Sequence, residues 1–462
     1  MGALIIRHMR LVKIFLFSIL LLVSCTPSQP VQQITVISHP DGPLYVGDQV
    51  SFEVLVPSSP GQTSSSVTVS YAGRQLGTAP LAPFGIGQRS QATLWWIWDT
   101  SNIEPGVHIL TFTRLPQNTT WTESFTLHPA TQVPSPEPQA HWTSTISVCC
   151  TLYYITGTAA ERDISVLGEE ADHESAAVSA QMNTSLSRRI DIILMSRVVG
   201  QGGFTLDSVY VSYLDDNYIG NDMPILFHHE FVHYYDSILG GMYRPVMLEE
   251  GLAVYLTGGH FKPEPLGPRA ASLLDLGWYI PLSTIADDFY NQQHDIAYLE
   301  AGSLVQYLIE TYGWNAFNQF YRAIPEPDNQ SDTAVLDRAF LDNFGLSFAE
   351  LENGYLSYLR SQTVTPNIRT DLKLTVTFFN AVRNYQEVLD PSSYFLTAWL
   401  PDAQVMRQRG IVADFVRRPE GWKNRLLESL LIRSQKELFS GDYKNTEWTL
   451  QLTNRLMDII AP

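Results

Sequence analysis

Five consecutive residues carry the first sign of chemistry in this chain: His229-Glu230-Phe231-Val232-His233. On a helix, residues four apart share one face, with Cβ atoms about 5–6 Å apart. From that spacing two imidazoles can reach one Zn²⁺ at about 2.0–2.1 Å each. Glu230 neighbours the first of them, so its carboxylate falls beside the ion, where it can take a proton from a water held there. The motif has meaning only on a helix. Asn221 or Asp222 can cap one, Pro224 suits its first turn, where a missing N–H costs nothing, and Gly240 with Gly241 can stop it. Between these limits Ile225, Leu226, Phe227, Phe231, Val232, Ile238 and Leu239 are apolar almost all round, so the helix reads as buried. Buried His and Glu need partners. A metal is one answer; a core helix with hydrogen-bonded histidines is the other.

A catalytic zinc usually has three protein ligands and keeps its fourth position for water. After the glycines a second helix begins with Glu249-Glu250-Gly251-Leu252-Ala253-Val254-Tyr255. Here the chain resembles the gluzincin metallopeptidases of the peptidase-MA-like group, whose zinc helix is followed by one carrying a motif close to (W)xxEGxAxY. Met247 stands near the position where an aromatic is common, which touches packing and not the ligand. The resemblance covers roughly residues 141–360. It implies Zn²⁺ as cofactor, Glu250 as third ligand, Glu230 as general base and a peptide or protein as substrate. It also implies a small sheet ahead of the zinc helix, with an edge strand that pairs with extended substrate; the strand around 209–213 is the candidate. Some gluzincins use a Tyr on a downstream helix to donate to the oxyanion, and Tyr298, within a helix over 295–308, falls on that position. A phenol suits the role because it can donate to charge that develops only in the transition state. Tyr255 and His294 are lesser candidates. His228 projects about 100° away from His229 and cannot share the ion through that face. Asp236 follows His233 by one turn and is expected to be solvated rather than to orient an imidazole. No motif for binding an N-terminal amine accompanies these residues, which favours an endopeptidase.

The elements that must position this machinery belong to a chain of 462 residues, enough for two or three domains. At 45% hydrophobic and 16% charged it should fold, and its formal net charge of −18 argues against nucleic acid or an anionic membrane surface as main partner. There is no basic run and no nucleotide-binding glycine loop. At the N-terminus Arg7, Arg10 and Lys13 precede an apolar run over 14–23 that is too short to span a bilayer; Met9 is an alternative start. The run ends in Leu22-Val23-Ser24-Cys25, which resembles a bacterial lipoprotein signal with its lipobox. That resemblance implies a signal peptide over 1–24, cleavage before Cys25, lipid on that residue and a tether over 25–30. The protein would then be exported and anchored on the extracytoplasmic face of the cell membrane. An ordinary signal peptide or uncleaved anchor is the alternative. Cys149 and Cys150 are adjacent, a spacing at which a bridge is strained, and are expected to be small buried groups in an unstapled fold.

The expected architecture is α+β. Alternation at Val50, Phe52, Val54 and Val56, and at Val67, Val69 and Tyr71, points to a β-sandwich over 31–128 that resembles the immunoglobulin-like modules of bacterial surface proteins. Within it Trp95, Trp96 and Trp98 are expected to be core rather than a carbohydrate platform. Pro134, Pro136 and Pro138 make 129–140 an extended linker. The gluzincin-like domain would occupy 141–365, with strands over 145–155, 190–194 and 209–213 and a helix over 161–187. Residues 366–462 form a helical appendage, in which 438–443 is faintly similar to the inter-helix turn of a tetratricopeptide repeat. The function expected is zinc-dependent peptide hydrolysis at the cell surface. The alternatives are a non-catalytic surface adhesin that keeps the zinc site as structure, and zinc hydrolysis of a non-peptide amide. Nothing in the sequence fixes an oligomeric state.

Overall fold

A computed structural model of the protein describes residues 34–56, 65–198, 200, 202–220 and 222–460. It is α+β, about 50% helix and 21% strand, with two sheets and a helical C-terminal region. Residues 1–33, which include the segment expected to be a signal peptide and Cys25, lie outside the described residues, among which no helix is long and apolar enough to cross a membrane.

The first sheet has eight strands: β1 (Thr35–His39), β2 (Leu44–Tyr45), β3 (Gln49–Leu55), β4 (Ser66–Tyr71), β5 (Arg74–Phe84), β6 (Arg89–Asp99), β7 (Gly106–Leu115) and β8 (Thr119–His128). They run in the order β1-β3-β6-β5-β4-β7-β8-β2. Strand β5 changes partner midway, pairing with β4 through 74–80 and with β6 through 81–84. The sheet thereby folds over on itself, and the alternating apolar residues of its two ends meet. Phe52 of β3 lies 5.6 Å from Phe112 of β7 and 5.3 Å from Phe125 of β8. Trp98 joins this core, but Trp95 and Trp96 do not. The pairing of β3 with β6 shifts register between Val50 and Phe52, Trp96 takes φ +47°, and its N–H donates to Ser51 Oγ at 2.7 Å. Such a bulge re-aims side chains, and Trp95 lands 4.4 Å from the ring of Trp399.

Residues 129–140 are not extended. They contain two short 3₁₀ turns, Ala130–Gln132 and Glu137–Gln139, and the Glu137 carboxylate is held by Arg417 at 2.5 and 2.7 Å. The second sheet comprises β9 (Trp142–Ile146), β10 (Cys150–Ile155), β11 (Ile190–Met195), β12 (Gly203–Thr205) and β13 (Val209–Ser212). Its order is β12-β13-β11-β10-β9, with β10, β11 and β13 parallel and the two outer strands antiparallel. The single strand expected over 145–155 is therefore a hairpin. Its turn is tied by Asp172 of α1 (Ala159–Met182), which accepts from Ser147 Oγ at 2.8 Å and Cys149 N at 2.7 Å. Helix α1 stops short of 187 because Asn183 takes a left-handed conformation and caps it. Cys149 and Cys150 are joined in a disulfide, against the expectation of free thiols. A bridge between neighbours closes no long loop, so it staples no distant parts of the fold.

The helices that follow are α2 (Met223–Leu239), α3 (Val246–Thr257), α4 (Leu266–Leu276), α5 (Leu282–Asp287), α6 (His294–Tyr312), α7 (Trp314–Arg322), α8 (Asp332–Phe344), α9 (Phe348–Ser361), α10 (Pro366–Leu389), α11 (Ala403–Arg409), α12 (Ala413–Val416), α13 (Trp422–Phe439) and α14 (Tyr443–Ile460). Helices α2, α3 and α6 share one apolar core with the second sheet. Helices α3 and α6 touch almost backbone to backbone: a Cβ on Gly251 would lie 2.6 Å from Ala301 O, and one on Gly302 would lie 2.4 Å from Val254 Cγ1.

The segment 390–417 clasps the first sheet. Arg197, after β11, bonds both Asp390 at 2.8 Å and Asp41. Arg417 forks onto Asp48 at 2.7 and 2.8 Å, and His39 stacks on Trp399 at 3.8 Å.

Candidate metal centre

Helix α2 starts with Asp222 at its N-cap, whose side chain makes no capping bond, and with Pro224 in the first turn; Asn221 lies outside the described residues. Ile225, Leu226, Phe227, Phe231 and Val232 are buried as their pattern requires. Ile238 and Leu239 are not, because the last turn runs out past the core; they are 46% and 38% exposed.

The helix points two imidazoles at one spot. His229 Nε2 and His233 Nε2 are 3.1 Å apart, and Glu250 Oε2 of α3 is 3.3 Å from each. Glu250 Oε2 and His229 Nδ1 are both buried without a hydrogen-bond partner. The three residues form a group able to hold a metal ion. Tyr290 donates to the other oxygen, Glu250 Oε1, at 2.9 Å. The His229 ring is held by packing instead, 5.2 Å from the His260 ring and 6.3 Å from that of Tyr298.

Glu230 faces the second sheet. Thr205 Oγ donates to its Oε2 at 2.8 Å, and a Cβ on Gly203 would come within 3.0 Å of Oε1. Burial pushes the Glu230 carboxyl up, against the pull of both imidazoles and of Thr205. Burial alone would hold His233 neutral, but Glu250 beside it reverses the balance and pushes its pKa up to about 9. Burial opposes the charge on Glu250 too, yet His233 and His229 hold it well below the usual carboxylate range. His260 is pushed down to about 3 by burial and by His229 beside it.

Tyr298 of α6 lines the cavity into which the triad opens, stacked on His260 at 3.9 Å, and no hydrogen bond joins its hydroxyl to the triad. His294 also lines the cavity, whereas Tyr255 does not. His228 points elsewhere, to Glu174 at 2.7 Å and Gln181 at 2.9 Å on α1. Asp236 is not solvated. It is 1% exposed and bound by Arg244, Arg322 and Tyr321, since α7 packs over the end of α2. The expected edge strand, β13, is interior: β12 covers it and is itself the edge beside Glu230.

Tyr290, His260 and Thr205 are the site residues that the motifs leave out. Tyr290 sits in a loop and Thr205 in a three-residue strand, where no helical spacing announces them. His260 had one signal, its place directly after Gly258-Gly259, a tight turn in which Gly259 takes φ +150°. The triad opens into a cavity of about 890 Å³. A second group with metal-ligand spacing, Cys149, Cys150 and Asp172, has its sulfurs bonded to each other and its carboxylate committed to the β9–β10 turn. No protein-family model matches the chain, and a search of curated proteins finds no match.

Proposed function

We propose that this protein is a zinc-dependent peptidase of gluzincin type. The observation that carries the reading is the triangle of donor atoms, with sides of 3.1, 3.3 and 3.3 Å. Tetrahedral zinc with bonds of about 2.0–2.1 Å needs its ligand atoms about 3.3–3.4 Å apart. Two nitrogens and one carboxylate oxygen are also the donor set of a catalytic zinc. A bound Zn²⁺ would supply a Lewis acid and a water whose pKa is lowered to about 7.

The chain's own residues then divide the work. Glu230 accepts the proton of the attacking water and later passes it to the leaving amine. Thr205 fixes Glu230 through Oε2 and leaves Oε1 for the transfer. Tyr290 keeps Glu250 turned so that Oε2 faces the imidazoles. Tyr298, in the cavity wall, is the proposed donor to the oxyanion. The substrate is a peptide or protein strand that enters the cavity past the edge strand β12. In this reading 141–365 is the gluzincin-like domain and the first sheet an immunoglobulin-like module. Export, with a lipid on Cys25, belongs to the same proposal.

The test is Glu230→Gln. The variant should bind zinc as the parent does and lose hydrolysis of an unstructured casein-like substrate, which a chelator should also stop in the parent. Full activity in the variant refutes the assigned base. Bound zinc without hydrolysis in the parent favours a surface-binding protein.

A further inference from the structure

One wall of the cavity is not built by the metal helices. Gly85 and Ile86, in the turn between β5 and β6, line it, beside Phe395 and Leu400 from the segment after α10. Glycine fixes this approach. Gly85 takes φ +69°, and a Cβ there would lie 2.5 Å from Leu396 O; one on Gly87 would lie 2.9 Å from Leu396 Cβ, and Gly87 N donates to Leu396 O at 2.7 Å. The turn is therefore pressed against the C-terminal segment, with Ile86, between the two glycines, as the side chain it offers to the cavity. The wall reaches close to the metal centre. Phe395 lies edge-on to Tyr290 at 5.9 Å, and Tyr290 bonds Glu250. Phe204, next to Thr205 on β12, lines the cavity as well. Ile86, Phe204, Phe395 and Leu400 carry no charge and no hydrogen-bonding side-chain group.

We propose that this wall is a substrate subsite, which takes a large apolar side chain close to the scissile bond, and that the N-terminal β layer is thereby a specificity element of the enzyme. The inference rests on the peptidase reading for its substrate class. Its physical basis is separate: an apolar concavity binds by area removed from water, and a pocket separates side chains differing by a methylene by about 10- to 200-fold.

The experiment compares the zinc-loaded parent with Ile86→Asp, a change in a half-buried turn residue that ligates nothing. Peptides differing only in the residues flanking the scissile position, Leu or Phe against Ser or Lys, are offered for hydrolysis. The same peptides are offered for binding, read by fluorescence anisotropy. The parent should favour Leu and Phe. Ile86→Asp should lower that preference at least tenfold at unchanged zinc content. An equal preference in both proteins overturns the subsite while leaving the peptidase intact. If the zinc-loaded parent hydrolyses nothing, the peptidase reading fails, and the binding arm decides the subsite. An apolar preference that Ile86→Asp abolishes sustains it; no preference overturns it.

Discussion

His233 links the centre to pH. In the metal-free protein its pKa is pushed up to about 9, from an ordinary 6.5, by the Glu250 carboxylate. A raised pKa of this kind contributes stability that is fully present below about 6.5 and is lost as pH rises through about 9. A metal must displace the same proton. Zinc affinity should therefore climb about tenfold per pH unit across that interval, as calorimetric titrations at several pH values would measure; a flat profile would contradict the proton's place on His233. Tyr290 makes a second prediction. Tyr290→Phe removes the hydroxyl that anchors Glu250 Oε1, and supporting groups of this kind typically change metal affinity by about 10- to 100-fold. Competition with a chromophoric chelator reads that loss, and an unchanged affinity would mean that α3 alone orients Glu250. At this scale the sequence was legible wherever helical periodicity ties residues together. His229 and His233 are four apart, and Glu250 belongs to a second helix with its own motif. Tyr290 and Thr205 come from irregular segments, whose positions depend on how distant parts pack.

Among elements, the decisive contact is α3 on α6. Gly251, which follows Glu250 of the candidate metal centre, lies where any Cβ would strike the carbonyl of Ala301. The glycine of the EGxA pattern is thus a packing requirement, and it is what lets α3 come close enough to aim Glu250. Gly251→Ala should force α3 away from α6, at a cost of about 1–3 kcal/mol as for other overpacked cores. Urea unfolding of the metal-free protein would show that loss, and zinc binding should weaken with it; wild-type values for both would show that the two helices can separate freely. The same scale shows where strand reading failed. β13 had the alternating pattern of a strand, but pattern does not say which strand is outermost. The short β12, three residues with a glycine at its start, has too little sequence to announce itself. Its glycine matters for the same reason as Gly251: it gives Glu230 room.

Across the whole molecule, the β layer and the helical region are joined by charges taken out of water. Arg417 serves two carboxylates, Asp48 and Glu137, and Arg197 serves Asp41 and Asp390. Removing one member of such a set leaves an uncompensated buried charge, typically costing about 3–5 kcal/mol. Arg417→Met should destabilise the protein by that order, and adding Asp48→Asn should recover part of the loss. Thermal or urea denaturation checks both; additive losses would show that the pair is not coupled. The alternation of Val50, Phe52 and Val54 made the β layer readable in advance. Its attachment was not, because the partners stand hundreds of positions apart: Asp48 and Arg417 are separated by 369. The prolines of 129–140 suggested a spacer, whereas Glu137 is part of the joint.

That separation bears on when the cleft becomes complete. A polypeptide leaves the ribosome N-terminal end first, so His229, His233 and Glu250 of the candidate metal centre are synthesised well ahead of Phe395, Leu400 and Arg417. Until segment 390–417 follows, the β5–β6 turn has nothing to press against and the cleft stands open on that flank. A nascent chain would then possess all three residues of the candidate metal centre and still lack one wall of the cavity beside them, so completion of the cleft waits on the synthesis of segment 390–417.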